Sequence, residues 1–308
     1  MVKKRKNMEK TLLKIANTLI INAQHISSYG LLEGKMGIAI FFYHYSKINR
    51  WYKDFADDLL DDISTSLYKK MSDNIFDGLT GIGFGINYLI KNQFIDAEED
   101  VLEDVEESLK NISLMDIISD IENESPFCSK GMYFIEKNDK EAIENILNVL
   151  NQFLNQNSEI LPLSYLNSIL YIFSQNNNQK EIPDELLCKL YENITNSINN
   201  KLYTFPDILL LTTIIEQILQ NNNTTFDSKK WEELIKNLDY DNIDGIFNIG
   251  IYKLIFNKIK FNDTLILEKI KTVDIENQVN SMINDVYNNL NLYNGLAGVG
   301  LTLLRHEK

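Results

Sequence analysis

Amphipathic segments alternate with almost wholly apolar segments along the chain. Helices with one apolar face cover a core, whereas helices that are apolar all round are buried on every side. The apolar kind is seen at 38–45, and the mostly apolar segment at 84–90 follows the same pattern. The amphipathic kind lies near residues 8–27, 52–70, 97–112, 140–155, 183–199, 228–238 and 263–290. This alternation predicts an all-α protein in which outer and inner helices form hairpins.

Closely spaced glycines mark the start of four of the apolar segments. The four units are 34–39 (GKMGIA), 78–83 (GLTGIG), 245–250 (GIFNIG) and 295–300 (GLAGVG). Each glycine inside a helix costs about 1 kcal/mol relative to alanine, so this spacing needs a structural or functional reason. We expect the glycines to let neighbouring inner helices approach closely, because glycine has no side chain to hold them apart.

The alternation places three weaker units in the middle of the chain, with anchors at Cys128, Ser164 and Phe205. Together with Gly34, Gly78, Gly245 and Gly295, they give seven units of roughly 40–50 residues, as in repeat proteins. An open solenoid has atypical terminal units, but here the first and last units are the best-formed copies, and we expect them to meet. The sequence therefore predicts an α/α toroid of seven helical hairpins, with about fourteen helices in inner and outer rings, as a single domain over residues 1–308.

Composition narrows the choice of partners and compartment. The formal net charge of -14 would repel a nucleic-acid backbone, so we expect no nucleic-acid partner. No run reaches the roughly 18 apolar residues of a membrane span, and charged residues interrupt the segment after the basic start of the chain. The two cysteines do not make a disulfide framework. We therefore expect a cytoplasmic protein.

A polar residue precedes the first glycine of each clear unit. These residues are Glu33, Asp77, Asp244 and Asn294. Asp and Asn are good helix N-caps, and a carboxylate suits the positive end of the helix dipole, so we interpret them mainly as caps. The functional alternative is a ring of carboxylates at one mouth of the toroid, which could hold a cation, act as acid and base, or receive a basic peptide.

The units at 34–39, 78–83 and 295–300 resemble the repeats of the LanC family, the lanthionine synthetase C proteins, and the resemblance covers essentially the whole chain. It implies a toroid of seven inner and seven outer helices. It also implies enzymes that bind one zinc ion and close thioether rings by adding a peptide cysteine thiolate to a dehydrated Ser or Thr. In that family a Cys in the fifth unit and a Cys-His pair in the sixth hold the zinc, and a His and an Arg assist.

This chain departs from the family at those chemical positions. Ile243 and Asp244 stand where the sixth-unit Cys and His are expected, the fifth unit at 203–206 has no Cys, and residues 156–206 contain neither His nor Arg. We therefore expect no metal and no cofactor, although the family implies zinc. Cys128 occupies an anchor of the third unit and is expected to face the mouth, where Asp77 and Asp244 could join it in a rearranged metal site.

The remaining histidines and cysteine are interpreted as structural. His25, His44 and His306 are expected to be packing or surface residues, and Cys188 is expected to be a small buried hydrophobe. The acidic run at 98–107 is interpreted as a solvated helix face, and the Asn-rich segments 176–178 and 221–223 as loops.

Three functional hypotheses follow from these residues and from the resemblance. The first is a zinc-less, non-catalytic LanC-like protein that binds a precursor peptide or a peptide-modifying enzyme. The alternative is an active lanthionine cyclase with a rearranged site, for which Cys128, Asp77 and Asp244 are the candidate groups. A weaker alternative is a glycosidase-like toroid that uses two of the carboxylates Glu33, Asp77 and Asp244.

Overall fold

The computed structural model describes residues 2–67, 71–97, 101–175, 184–220 and 228–305. Over these ranges the chain forms sixteen α-helices and three short 3-10 helices, with no strand, which confirms the all-α prediction. No helix within them is long and apolar enough to cross a membrane. His306, the acidic residues 98–100 and the Asn-rich segments 176–178 and 221–223 lie outside the described residues.

Most of the helices follow the predicted segments, although the helix at Leu114–Glu122 lies where the sequence pattern predicts none and the described residues form sixteen helices rather than about fourteen. The first eight are α1 (Val2–Asn22), α2 (Lys35–Ser46), α3 (Tyr52–Ser66), α4 (Leu79–Lys91), α5 (Glu103–Leu109), α6 (Leu114–Glu122), α7 (Ser129–Lys137) and α8 (Lys140–Gln156). The others are α9 (Leu163–Gln175), α10 (Asp184–Asn199), α11 (Phe205–Gln220), α12 (Ser228–Lys236), α13 (Ile249–Ile255), α14 (Asp263–Ile270), α15 (Ile275–Asn284) and α16 (Leu296–Arg305). The 3-10 helices are Ala23–His25, Ile246–Asn248 and Val286–Asn288.

The three weaker units in the middle of the chain are confirmed as helix starts. Helices α7, α9 and α11 begin within one residue of the anchors Cys128, Ser164 and Phe205. The segment at 263–290 is different, because it is divided into α14 and α15. The break follows from Asp274, whose side chain accepts a hydrogen bond from the backbone N–H of Asn277 and so caps a new helix.

The described chain divides into two compact units, and the first comprises Met1–Glu107, Gly245–Ile255 and Asp263–Lys308. Within it the mostly apolar helices pack in the order α13, α16, α2, α4, while α3 covers α2 and α1 packs on α16. The backbone N–H of Tyr293 donates to the carbonyl oxygen of Leu32 at 2.9 Å. The last glycine unit therefore lies beside the first, as the sequence predicts.

The second unit comprises Ser108–Asp244 and Phe256–Asn262. Its mostly apolar helices pack in the order α7, α9, α11. Helix α8 packs against α6, α7 and α9, and α10 packs against α8 and α9. Each unit thus contains buried helices that neighbour one another in the order of the predicted repeats. Closure of all seven hairpins into one toroidal domain stays a prediction.

Three glycine units share one backbone loop. In each unit the N–H of the residue after the first glycine donates to the carbonyl seven residues earlier: Lys35 to Ser28 at 3.1 Å, Leu79 to Ser72 at 2.8 Å and Leu296 to Asn289 at 2.8 Å. The second glycine lies against the same loop, and a Cβ at Gly37, Gly81 or Gly298 would lie 2.2, 2.3 or 2.0 Å from the carbonyl oxygen six residues earlier. The loop therefore caps the helix with backbone carbonyls, and only glycine fits against it.

This arrangement corrects the expected role of the glycines. Contact between neighbouring helices accounts for some of them, since a Cβ at Gly300 in α16 would lie 2.3 Å from the ring of Phe41 in α2. The second glycine of each of the three units instead meets its own preceding loop. The spacing of the glycines therefore reflects a local loop-to-helix connection as well as the packing of neighbouring helices.

Candidate functional site

Glu33 and Asp77 lie on two neighbouring loops of the first unit. The backbone N–H groups of Leu32 and Glu33 both donate to the carbonyl oxygen of Phe76, at 3.0 and 3.1 Å. Partial burial raises the pKa of the Glu33 carboxyl above its ordinary value, and the nearby Asp77 carboxylate raises it further. Both side chains are exposed, so the two loops present a pair of like-charged groups to solvent.

The prediction that Glu33 and Asp77 are N-caps is wrong. The N-cap positions of α2 and α4 are occupied by Gly34 and Gly78, which have no side chain to donate or accept. The carboxylate of Asp77 accepts a hydrogen bond from the Ser72 hydroxyl at 2.9 Å. The physical reason is the preceding loop, whose carbonyls already satisfy the first N–H groups of each helix.

Asp244 lies on an exposed loop of the second unit. Its backbone carbonyl accepts from the N–H of Phe205 at 2.9 Å, and its own N–H donates to the side chain of Asn242 at 2.9 Å. Gly245, with φ of 69°, is the N-cap of the following 3-10 helix, so Asp244 is not a cap either. Asn294, at the equivalent position of the last unit, bonds the side chain of Asn248 instead. A ring of carboxylates stays a prediction.

Cys128 is enclosed in the second unit, and the expectation that it faces an open mouth is wrong. Its side chain is 0% exposed, and burial is the largest cause that raises the pKa of its thiol far above the ordinary value. The acidic groups that affect this thiol are Asp120 and Asp116, not Asp244. A thiolate is the form that binds metal and attacks electrophiles, so this protonated thiol is unsuited to both uses.

A buried polar network, which we call the Cys128 cluster, comprises Cys128, Asp120, Ser129, Tyr165 and Ser168. The Asp120 carboxylate accepts from the Ser129 N–H at 2.8 Å and from its hydroxyl at 2.5 Å, so it caps α7. The Ser168 hydroxyl accepts from the Cys128 N–H at 2.9 Å. The Tyr165 hydroxyl lies near Cys128 and Asp120 but forms no hydrogen bond of ordinary geometry among the described residues.

Burial raises the pKa of Asp120 to about 7, although the hydrogen bonds from Ser129 act in the opposite direction. Sequence reasoning missed Asp120. The signal that was present is its spacing, since it lies three residues after the buried Ile117 and therefore on the inward face of α6. A lone carboxyl on the buried face of an apolar helix predicts a partner, which here is the start of α7.

The described residues contain no group of three or more His, Cys, Asp or Glu side chains that could hold a metal ion. His25 is exposed and its ring packs edge-on against Tyr287, with 5.8 Å between ring centroids. Cys188 is exposed, so the expectation that it is buried is wrong. The reason is its position on α10, where Leu186, Leu187 and Leu190 form the buried face and Cys188 lies outside it.

An open groove with four apolar and four polar or charged lining residues runs between α6 and the end of α8 in the second unit. It has a volume of about 280 Å³ and is lined by Leu114, Ile118, Ile121, Glu122, Phe153, Gln156, Asn157 and Glu159. The three aliphatic residues of α6 are spaced at i, i+4 and i+7, so they form one stripe along the helix. Both charged residues in the lining are glutamates. We call this surface the α6/α8 groove.

A second polar cluster lies in the first unit, at the carboxyl ends of α2, α4 and α16. We call it the Arg305 cluster, and it comprises Arg305, Tyr88 and His44. The guanidinium Nη2 of Arg305 donates to the Tyr88 hydroxyl at 2.8 Å, and the same hydroxyl lies 2.8 Å from Nε2 of His44. Because Arg305 can only donate, we assign the tyrosine proton to the bond with His44, whose Nε2 then accepts.

The electrostatic surroundings of this cluster are positive. Burial lowers the pKa of His44 to about 3, with further contributions from Arg305 and Lys47, so the imidazole is neutral at physiological pH. Burial lowers the pKa of Lys253, and Arg305 contributes to this shift as well, although the salt bridge to Asp263 opposes it. The sequence interpretation of His44 as a packing residue is therefore incomplete, because the imidazole is half-buried and hydrogen-bonded.

Comparison with known proteins does not assign the chain. No family model, no curated protein and no solved structure matches it.

Proposed function

We propose that this protein is a LanC-like α/α toroid that binds a peptide in the cytoplasm without zinc chemistry. In this role it is a pseudoenzyme partner in the modification of ribosomally made, lanthipeptide-type peptides. Three units with the same loop-to-helix connection support a repeat architecture, as does the packing of buried helices in repeat order within each unit. The ligand is the precursor peptide, or a helical segment of the enzyme that modifies it.

The α6/α8 groove is the observation that carries peptide binding. A stripe of half-exposed Leu114, Ile118 and Ile121 offers apolar contact along about two turns of α6. An amphipathic helix binds such a groove with side chains at i, i+3 or i+4, and i+7. Glu122 and Glu159 are the charged lining residues, so they favour a ligand helix with Lys or Arg beside its apolar stripe.

The enclosed thiol of Cys128 argues against the cyclase alternative. A zinc ligand or nucleophile must become a thiolate, and burial opposes this ionisation. The Glu33 and Asp77 pair is the arrangement most compatible with the weaker glycosidase alternative, because one carboxyl with a raised pKa beside a second carboxylate is the pattern of an acid and its partner. Neither alternative explains the α6/α8 groove.

Peptide binding is tested with a fluorescein-labelled amphipathic helix of about 18 residues that carries one leucine stripe flanked by lysines. Fluorescence anisotropy at roughly 150 mM salt limits the contribution of the overall negative charge. We expect Ile118→Ser and Ile121→Ser to weaken binding about tenfold each, since each removes buried aliphatic contact. Met115→Ser is the matched control, because Met115 lies on α6 and is 67% exposed but does not line the groove. Equal affinities for all variants would exclude the groove as the binding surface.

Zinc content separates the proposal from an active cyclase. Protein purified without chelator is analysed by inductively coupled plasma mass spectrometry and then incubated with a dehydrated, cysteine-containing peptide. We expect no stoichiometric zinc and no acceleration of thiol consumption, because thioether closure needs an activated thiolate. Stoichiometric zinc with ring closure would establish the cyclase instead.

A further inference from the structure

The Arg305 cluster contains a positive charge that none of the described carboxylates neutralises. Arg305 carries five N–H donors, and its one hydrogen bond among the described residues is to the neutral hydroxyl of Tyr88. Its Nε is fully buried and has no hydrogen-bond partner there. A buried donor of a charged group without an acceptor is costly, so the guanidinium is held in this position although its one bond is to a neutral group.

The groups around Arg305 do not provide the missing negative charge. Tyr88 is neutral, and His44 uses Nε2 as an acceptor from that hydroxyl. Lys253 and Lys47 add positive charge to the same end of the helices, even though Lys253 is paired with Asp263. An acidic chain with a net charge of -14 has many carboxylates, yet none of those described forms a salt bridge with Arg305.

A helix-dipole effect explains only part of this arrangement. A basic residue in the last turn of α16 stabilises the negative end of the helix. A basic side chain that points into solvent would stabilise the helix end equally well. The stabilisation does not require a buried Nε or a bond to Tyr88. The inward position of the guanidinium therefore has a separate cause.

The geometry points to an oxyanion-binding site at the half-exposed guanidinium of Arg305, in which a carboxylate or phosphate group accepts hydrogen bonds from the side of the guanidinium that solvent reaches. The planar guanidinium fork matches both groups. Tyr88 and His44 are positioning residues, because their hydrogen bonds fix the plane of the fork. Lys47 and Lys253 raise the local potential and so favour an anion over water.

The test follows the Nε–H signal of Arg305 by ¹H–¹⁵N NMR in protein labelled at arginine. The chain has three arginines, at positions 5, 50 and 305, so the spectrum is simple. Sodium phosphate and sodium acetate are added in separate titrations against sodium chloride at constant ionic strength. We expect a saturable shift of the Arg305 signal by roughly 20 mM of one or both oxyanions, as a millimolar Kd requires, and none with chloride. The phosphate and acetate titrations identify which oxyanion the site prefers.

Two variants keep the result interpretable. Tyr88→Phe retains the arginine signal but removes the hydroxyl that orients the fork, and we expect a severalfold weaker affinity. Arg50→Gln removes an exposed arginine and is expected to leave the titration of Arg305 unchanged. A linear response without saturation, or an equal response to chloride, would overturn the oxyanion site. Unchanged affinity in Tyr88→Phe would overturn the positioning role.

Discussion

The Cys128 cluster of the second compact unit and the Arg305 cluster of the first differ in what surrounds them. The Cys128 cluster is sealed from solvent, and its carboxyl, Asp120, accepts from both donors of Ser129. In the Arg305 cluster, Arg305 and His44 are half-exposed while Tyr88 is buried, and the guanidinium has one neutral partner and one buried nitrogen without an acceptor. Each cluster therefore contains one buried polar atom without a hydrogen-bond partner, the Tyr165 hydroxyl in the first and Nε of Arg305 in the second. The difference lies in the acidic or basic group, because Asp120 is bonded within the protein and Arg305 has no acidic partner among the described residues.

This difference separates a structural role from a binding role. A buried carboxyl that accepts its hydrogen bonds from a neighbouring helix fixes the packing of the two helices against each other. A half-exposed charged group that lacks a counter-ion can instead bind an oppositely charged ligand, as we propose for Arg305. Strongly shifted pKa values occur in both clusters, so the shift alone does not distinguish them. The clusters are distinguished by whether the acidic or basic group is bonded within the protein, as Asp120 is, or has only a neutral partner, as Arg305 does.

The largest expected effect is that of removing the carboxyl of the sealed cluster. Asp120→Ala leaves the buried N–H and hydroxyl of Ser129 without their acceptor and uncaps α7. We expect a loss of about 3 kcal/mol in the free energy of unfolding, measured by urea denaturation. Glu122→Ala on the same helix is the control and is expected to change stability by less than about 0.5 kcal/mol, because Glu122 is exposed. A similar loss in both variants would show that the hydrogen bonds of Asp120 contribute no more to the free energy of unfolding than an exposed glutamate does.

The sequence predicted the helices better than it predicted the side-chain clusters, and the physical reasons differ. Helix positions follow from apolar periodicity, which is local, so even the starts of the three weaker units near Cys128, Ser164 and Phe205 are predicted to within one residue. The environment of a polar side chain depends on residues distant in the chain. Tyr88 and Arg305 are separated by 217 positions, and no local pattern connects them.

The candidate carboxylates show the same limit. The positions of Glu33 and Asp77 before their helices were predicted correctly, and the structure brings their loops together. Their predicted capping role was wrong, because the acceptors of the first N–H groups are backbone carbonyls, which every residue type supplies. Sequence alone cannot show which carbonyl a loop turns toward a helix.

A smaller effect is expected from the titration of Asp120. Folding raises the pKa of this carboxyl from its ordinary 3.8 to about 7, so the folded state holds the proton more tightly than the unfolded state. The stability that Asp120 contributes is therefore full below about pH 4 and is lost as the pH rises through 7. Asp120→Asn keeps a neutral acceptor for the Ser129 N–H. We expect its stability relative to the parent protein to improve by about 2–3 kcal/mol between pH 5 and pH 8 in urea denaturation. A difference that does not vary with pH would show that Asp120 keeps an ordinary pKa.

The smallest expected effects come from removing the hydroxyl of one tyrosine in each cluster. Tyr165→Phe removes a buried hydroxyl that has no hydrogen bond of ordinary geometry among the described residues, so we expect a change in the free energy of unfolding within about 0.5 kcal/mol. Tyr88→Phe removes a hydroxyl that bonds both Arg305 and His44, and we expect a loss of about 1 kcal/mol. Both residues are almost fully buried, and both substitutions delete a single oxygen, so packing changes are matched. The two variants are compared by thermal and urea denaturation in chloride buffer, without phosphate or acetate. If Tyr165→Phe proved the more costly change, the sealed cluster would depend on that hydroxyl, and the distinction drawn between the two clusters would fail.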